Sequence, residues 1–139
     1  MLTELPILEP AATGLDFSAG PDGAIVTGCS LHLTELIIPA ECAGVPVTRI
    51  APGAFRGHPH LLDVTLPDSL AVIGEEAFMD CHALMTVRGG TGLKRLGARA
   101  FYQCVALRKL DFPAIPDADV TAFAGCYQLE AANERASYR

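Results

Sequence analysis

The chain has 139 residues, half of them hydrophobic and 19% charged, with a formal net charge of −6. That size bounds it to one domain, the hydrophobicity excludes a disordered chain, and the acidity argues against nucleic acid as a default partner. No apolar run reaches the ~18 residues of a membrane span, and the start, Met1-Leu2-Thr3-Glu4-Leu5-Pro6, lacks the basic n-region of a secretory signal.

In chain order, residues 1–13 are Pro- and Ala-rich and read as a lead segment. Leu15-Asp16-Phe17-Ser18 and Ala24-Ile25-Val26-Thr27 flank Gly20-Pro21-Asp22-Gly23, which predicts a hairpin. Leu33 to Ile38 predicts a strand closed by Pro39, followed by a loop through Pro46. From Val47 a period appears. The phrases Ala54-Phe55-Arg56-Gly57-His58, Ala77-Phe78-Met79-Asp80-Cys81, Ala100-Phe101-Tyr102-Gln103-Cys104 and Ala122-Phe123-Ala124-Gly125-Cys126 are spaced 23, 23 and 22 residues apart. Each is followed by a leucine at a fixed offset: Leu61, Leu84, Leu107, Leu129. Such a period means stacked coils that bury their apolar faces against one another. Leu61, Val64, Leu66 and Leu70 fit LxxLxLxxxL, and the alternation at Val64 and Leu66 predicts a strand with one buried face. The Ala-Phe phrases predict short helical turns opposite that strand, with Phe55, Phe78, Phe101 and Phe123 buried and stacked. The organisation is one domain: lead and hairpin cap (1–46), regular repeats (47–115), and a last partial repeat with a C-terminal cap (116–139).

The phrases Ile73-Gly74-Glu75-Glu76-Ala77-Phe78-Met79-Asp80-Cys81-His82-Ala83-Leu84 and Leu96-Gly97-Ala98-Arg99-Ala100-Phe101-Tyr102-Gln103-Cys104-Val105-Ala106-Leu107 resemble the BspA-like leucine-rich repeat family. The resemblance covers roughly residues 15–130. It implies an α/β repeat: a right-handed solenoid with a concave parallel sheet, helical turns on the convex side and no catalytic residues. It also implies a protein-binding role, often at the bacterial surface or in secretion, although this chain shows no signal peptide and is cytoplasmic by default. Three departures stand out. His58 replaces the usual cysteine. Gly89-Gly90-Thr91-Gly92 replaces the counterpart of Leu66-Pro67-Asp68-Ser69, so that strand should end early. The last copy puts Glu134 at a core position, and Ala122 to about Ala136 reads as a capping helix or as the point where a longer array was cut.

Candidate chemistry is sparse. Five cysteines form no CxxC pair. Cys81, Cys104 and Cys126 fall at equivalent positions about 5 Å apart in a stack, yet read as buried packing groups rather than metal or disulfide partners. His58, His60 and His82 read as solvated turn residues. Gly89 to Lys94 lacks the spacing of a phosphate loop. No catalytic, metal or cofactor-binding set emerges, and no cofactor is implied. The stretch from His82 to Leu110 holds six basic residues and no acidic one. In-register stacking pairs Glu76 with Arg99 and Arg88 with Asp111, and leaves a solvated rim.

The concave face should present Glu35 and Ile37, Asp63 and Thr65, Thr86 and Arg88, Lys109 and Asp111. The expected function is a non-enzymatic protein-interaction module that uses this mixed polar surface. The alternative is a structural, self-assembling protein that forms a homodimer through an open sheet edge at Leu107–Phe112, with Lys109 opposite Asp111 of the other copy.

Overall fold

Burial alternates along Asp63-Val64-Thr65-Leu66, with Val64 and Leu66 inside and Asp63 and Thr65 half-buried. One apolar residue in two suits a strand covered on one face only. The structure, a computed structural model, describes residues 14–29, 33–111 and 117–129. It stacks β3 (Glu35–Ile37), β6 (Asp63–Leu66), β8 (Thr86–Gly89) and β10 (Lys109–Asp111) in one parallel four-stranded sheet, order β10-β8-β6-β3. β8 is as long as β6, so the strand expected to end early does not. Gly89 continues the ladder opposite Leu66. With φ at +94°, a Cβ there would sit 2.3 Å from the Leu66 carbonyl oxygen, so glycine is what the close approach requires.

A second sheet begins at the expected hairpin and continues where the repeats showed no strand period. β2 (Ala24–Cys29), β5 (Val45–Ile50), β7 (Val72–Ile73), β9 (Arg95–Leu96) and β11 (Asp117–Ala118) pair in parallel. β1 (Leu15–Ala19) pairs antiparallel with β2, and β4 (Glu41–Cys42) antiparallel with β5. The β1–β2 turn closes with Gly20 N–H donating to Gly23 C=O at 2.8 Å, and Arg49 holds Asp22 at 3.0 Å. Each coil thus passes through two strands and one turn segment.

The turn segments are not the short helices expected. Their N–H groups alternate in destination. Gly53, Phe55 and Gly57 donate to the carbonyls of Glu75, Ala77 and Met79 one coil on, while Ala54, Arg56 and His58 donate back to Ala51, Gly53 and Phe55. Glu76, Phe78 and Asp80 repeat this toward Ala98, Ala100 and Tyr102. A helix would keep every N–H within its own segment. Here half of them bind the next coil, and the chain takes positive φ at Gly53, Gly57, Glu76, Asp80, Arg99 and Gln103 to aim them. Among the described residues only 127–129 are helical, and the rest of the expected cap, Glu134 included, lies outside them, as does the lead segment.

The core runs between the three walls of the stack. Leu61, Leu84, Leu107 and Leu129 are buried, as are Ala77, Ala100 and Ala122. The phenylalanine rings form a column: Phe55 to Phe78 and Phe78 to Phe101 at 5.1 Å between centroids, Phe101 to Phe123 at 5.4 Å, all within 12° of parallel. This separation is close to the 4.7–4.9 Å between neighbouring strands. Phe123, on the last described coil, is half-buried rather than buried.

Candidate functional site

Parallel register places the eight face residues in two rows. Glu35, Asp63, Thr86 and Lys109 form one, and Ile37, Thr65, Arg88 and Asp111 the other. Leu36, Val64, Val87 and Leu110 lie between them and point inward, buried. None of the eight is a core residue, so the face carries side chains that packing does not demand. Glu35, Ile37, Arg88, Lys109 and Asp111 are exposed, and Asp63, Thr65 and Thr86 are half-buried.

The charges are arranged unevenly. Glu35 and Asp63 are neighbours in one row, with Lys109 at its far end. Arg88 sits between Thr65 and Asp111 in the other. Its guanidinium lies 3.9 Å from the Asp63 carboxylate, and that pair, rather than the expected one with Asp111, is the ion pair among the described residues of the face. Register sets Arg88 directly beside Asp111 and only diagonally from Asp63, so the reach of the side chain, not register, makes this pair. Both partners of this pair are well exposed, so its contribution is at most about 1 kcal/mol.

The turn side holds a separate network. Glu76 accepts from Arg99 at 3.1 Å, the cross-coil pair expected from the period, and also from Arg56 at 3.3 Å. His58 packs its ring 6.1 Å from that of Phe55 and is half-buried, unlike the solvated histidine expected, whereas His60 and His82 are exposed. His82 lies 3.8 Å from Asp80.

The cysteine ladder has a bonding role that the sequence left hidden. The thiols of Cys81, Cys104 and Cys126 donate to the carbonyls of Phe55, Phe78 and Phe101 in the preceding coil, at 3.0–3.1 Å. All three are buried. Contacts with Cys126 and Cys81, then burial, hold the Cys104 thiol well above the ordinary thiol range. A thiol kept protonated is a poor nucleophile and a poor metal ligand. No group of three or more His, Cys, Asp or Glu residues that could hold a metal ion occurs among the described residues.

A family model for the BspA-type leucine-rich repeat region matches residues 29–137 in six copies. The chain belongs to the BspA-type leucine-rich repeat family. Solved leucine-rich repeat proteins share its fold. One from T. pallidum has a TM-score of 0.79 at 30% identity, over 84% of this chain and 56% of that one. One from Bacteroides capillosus has a TM-score of 0.74 at 30% identity, over 84% of this chain and 91% of that one. A leucine-rich cell surface protein from Faecalibacterium prausnitzii, at 23% identity and a TM-score of 0.73, matches over 91% of this chain and 36% of that one. The chain therefore spans about half the length of the T. pallidum protein and about a third of the F. prausnitzii protein. None of the curated proteins compared matches the chain. Leucine-rich repeats of this kind are generally binding modules rather than enzymes, and no enzyme family appears among these matches. No helix among the described residues is long and apolar enough to cross a membrane.

Proposed function

We propose that this BspA-type repeat is a non-enzymatic module that binds another protein through the outer face of its four-stranded sheet, the concave side in the family's geometry. One observation carries the reading. Two in-register rows, polar and charged except for Ile37, stand on the sheet in front of a continuous buried row, with a single exposed ion pair among them. Four strands at 4.7–4.9 Å give a patch smaller than the ~800 Å² per partner of a standard interface. The partner must therefore also use the rims or bind multivalently. Display at a bacterial surface fits the description carried by the F. prausnitzii relative and belongs to this proposal.

The test is affinity capture with three baits: the natural chain, a face variant carrying Thr65→Arg and Thr86→Arg, and a variant with Lys94→Glu away from the face. A partner that is lost on the face variant alone supports the reading. A partner retained equally by all three removes it.

Self-assembly through β10 is the weaker reading. Lys109 and Asp111 are both exposed there, and Leu110 between them already has an interaction partner. Sedimentation across a range of concentrations decides it. A monomer throughout ends it.

A further inference from the structure

We propose that the outer edge of β3 docks an extended, basic segment of a partner protein, added antiparallel as a fifth strand. The inference rests on the protein-binding reading above and assigns part of that binding to backbone rather than to the face.

The ladder between β3 and β6 defines the edge. Asp63 N–H donates to Thr34 C=O at 3.2 Å, and Ile38 N–H donates to Thr65 C=O at 3.0 Å. In a parallel ladder those bonds alternate, so the backbone groups of Thr34, Leu36 and Ile38 face β6 and those of Glu35 and Ile37 face away. Among the described residues, neither Glu35 nor Ile37 has a partner for its N–H or C=O. The corresponding end of the other sheet is closed, because β1 lies antiparallel along β2. Among the described residues no strand lies beside β3 in the four-stranded sheet, so two N–H and two C=O groups are presented at its edge.

The free groups and the side chains beside them select the occupant. An antiparallel segment satisfies all four groups with three residues, because each of Glu35 and Ile37 exchanges both its bonds with one residue opposite. A parallel segment would need about five residues for the same bonds. The residue opposite Glu35 meets its exposed carboxylate, so a lysine or arginine is favoured there. The residue opposite Ile37 meets a side chain 49% exposed, so an aliphatic or aromatic residue is favoured. Antiparallel to β3, the segment reads apolar, any residue, basic, from its N-terminus. A second copy of this chain fits poorly: a two-fold pairing of β3 about Leu36 sets each Glu35 against an isoleucine and supplies no cation. With so short an edge strand, the segment alone binds weakly, in the millimolar to high-micromolar range, and gains strength as part of a larger contact.

The probe is an acetylated, amidated pentapeptide, Thr-Val-Thr-Lys-Thr, added to the isotopically labelled chain and followed by amide hydrogen exchange and chemical shifts. Slowed exchange at Glu35 and Ile37, with shifts confined to β3 and Asp63, is the expected result. Ile37→Pro removes an outward N–H that the inner ladder does not use and should abolish the response. Should that variant fail to fold, Glu35→Lys decides: it should lose the lysine peptide and accept the same peptide with glutamate in place of lysine. No slowing in the natural chain overturns the proposal, and so does equal binding of both peptides by Glu35→Lys. Slowing without peptide that grows with protein concentration would make the occupant a second copy and overturn it too. A face partner captured normally while the peptide response is absent removes the edge and leaves the face reading standing.

Discussion

The rings of Phe78 and Phe101 lie 5.1 Å apart and 2° from parallel, although 23 residues separate them in the chain. Their backbones are tied as well: Phe78 N–H donates to Ala100 C=O at 2.7 Å, and the Cys104 thiol donates back to Phe78 C=O at 3.0 Å. Ring, amide and thiol therefore report one and the same coil-to-coil contact. Removing any of them tests whether the stack behaves as a chain of nearest-neighbour interfaces.

Phe78 is fully buried between two rings, so Phe78→Ala should cost about 3–5 kcal/mol. That is a large part of the stability of a domain this size. Phe123 is half-buried with a described ring on one side, so Phe123→Ala should cost clearly less. Urea melts of both variants measure the difference. Equal losses would mean that the column is not an energetic unit.

The thiols make a second set of expectations. Cys104→Ala removes one of two donors on the Phe78 carbonyl, the Cys81 N–H at 3.3 Å remaining, and should destabilise by about 0.5–1.5 kcal/mol. Because the Cys104 thiol is held above its ordinary value, its contribution is complete below the unfolded thiol pKa of about 8.5 and is lost as pH rises beyond it. Melts across that range should show an alkaline decline that Cys104→Ala flattens. In native protein, Cys29 and Cys42, both half-buried, should be alkylated before Cys81, Cys104 and Cys126. Early alkylation of a ladder thiol would contradict the bonding described here.

Much of this stack was legible in the residues. The spacing of Phe55, Phe78, Phe101 and Phe123 carried the coil length, and the alternation at Val64 and Leu66 carried the four-stranded sheet with its two outward rows. Beyond the hairpin of β1 and β2, the second sheet was not legible, because Val72–Ile73, Arg95–Leu96 and Asp117–Ala118 are two residues long and cannot display a period of two. Nor was the absence of helix. Glu75-Glu76-Ala77-Phe78-Met79 has helix-favouring composition, but the interface takes the N–H groups of Glu76 and Phe78 for the next coil. Here tertiary pairing outweighs a local preference worth only fractions of a kcal/mol per residue. The period sets Arg88 directly beside Asp111, and its ion pair with the diagonal Asp63 depends on side-chain placement that no register displays.

Backbone geometry yields a pair of substitutions with opposite expected effects. A Cβ on Gly97 would lie 2.7 Å from the Glu75 nitrogen, so Gly97→Ala must push two coils apart and should cost about 1–3 kcal/mol. Gln103 holds φ at +61°, a conformation that penalises any side chain by about 1–2 kcal/mol. Gln103→Gly relieves that strain, partly offset by the greater freedom of glycine in the unfolded chain, and should be neutral to about 1 kcal/mol stabilising. Thermal melts of the two variants give the signs. A destabilising Gln103→Gly together with a silent Gly97→Ala would refute this account of the turns.

Asp119 gives the last coil an acid-sensitive lock. Its carboxylate accepts from the Thr121 hydroxyl at 2.6 Å and from the Thr121 N–H at 2.8 Å, and the Thr121 hydroxyl oxygen in turn accepts from the Arg99 N–H at 3.1 Å. The donors on Thr121, side chain first, hold the Asp119 carboxyl below its ordinary value. A depressed folded-state pKa means that the contribution is present above the unfolded carboxylate value of about 3.9 and is lost as pH falls through the folded one. The group is fully exposed, so the effect belongs to the local tie rather than to global stability. Exchange of the Arg99 amide should therefore accelerate at acid pH beyond the change in intrinsic rate. Asp119→Asn keeps an acceptor oxygen but no titration, so it should remove that excess while leaving exchange near neutrality little changed. Asp119→Ala should show fast Arg99 exchange at every pH. An Arg99 amide whose protection is the same in all three chains would show that Thr121 is held by something other than Asp119.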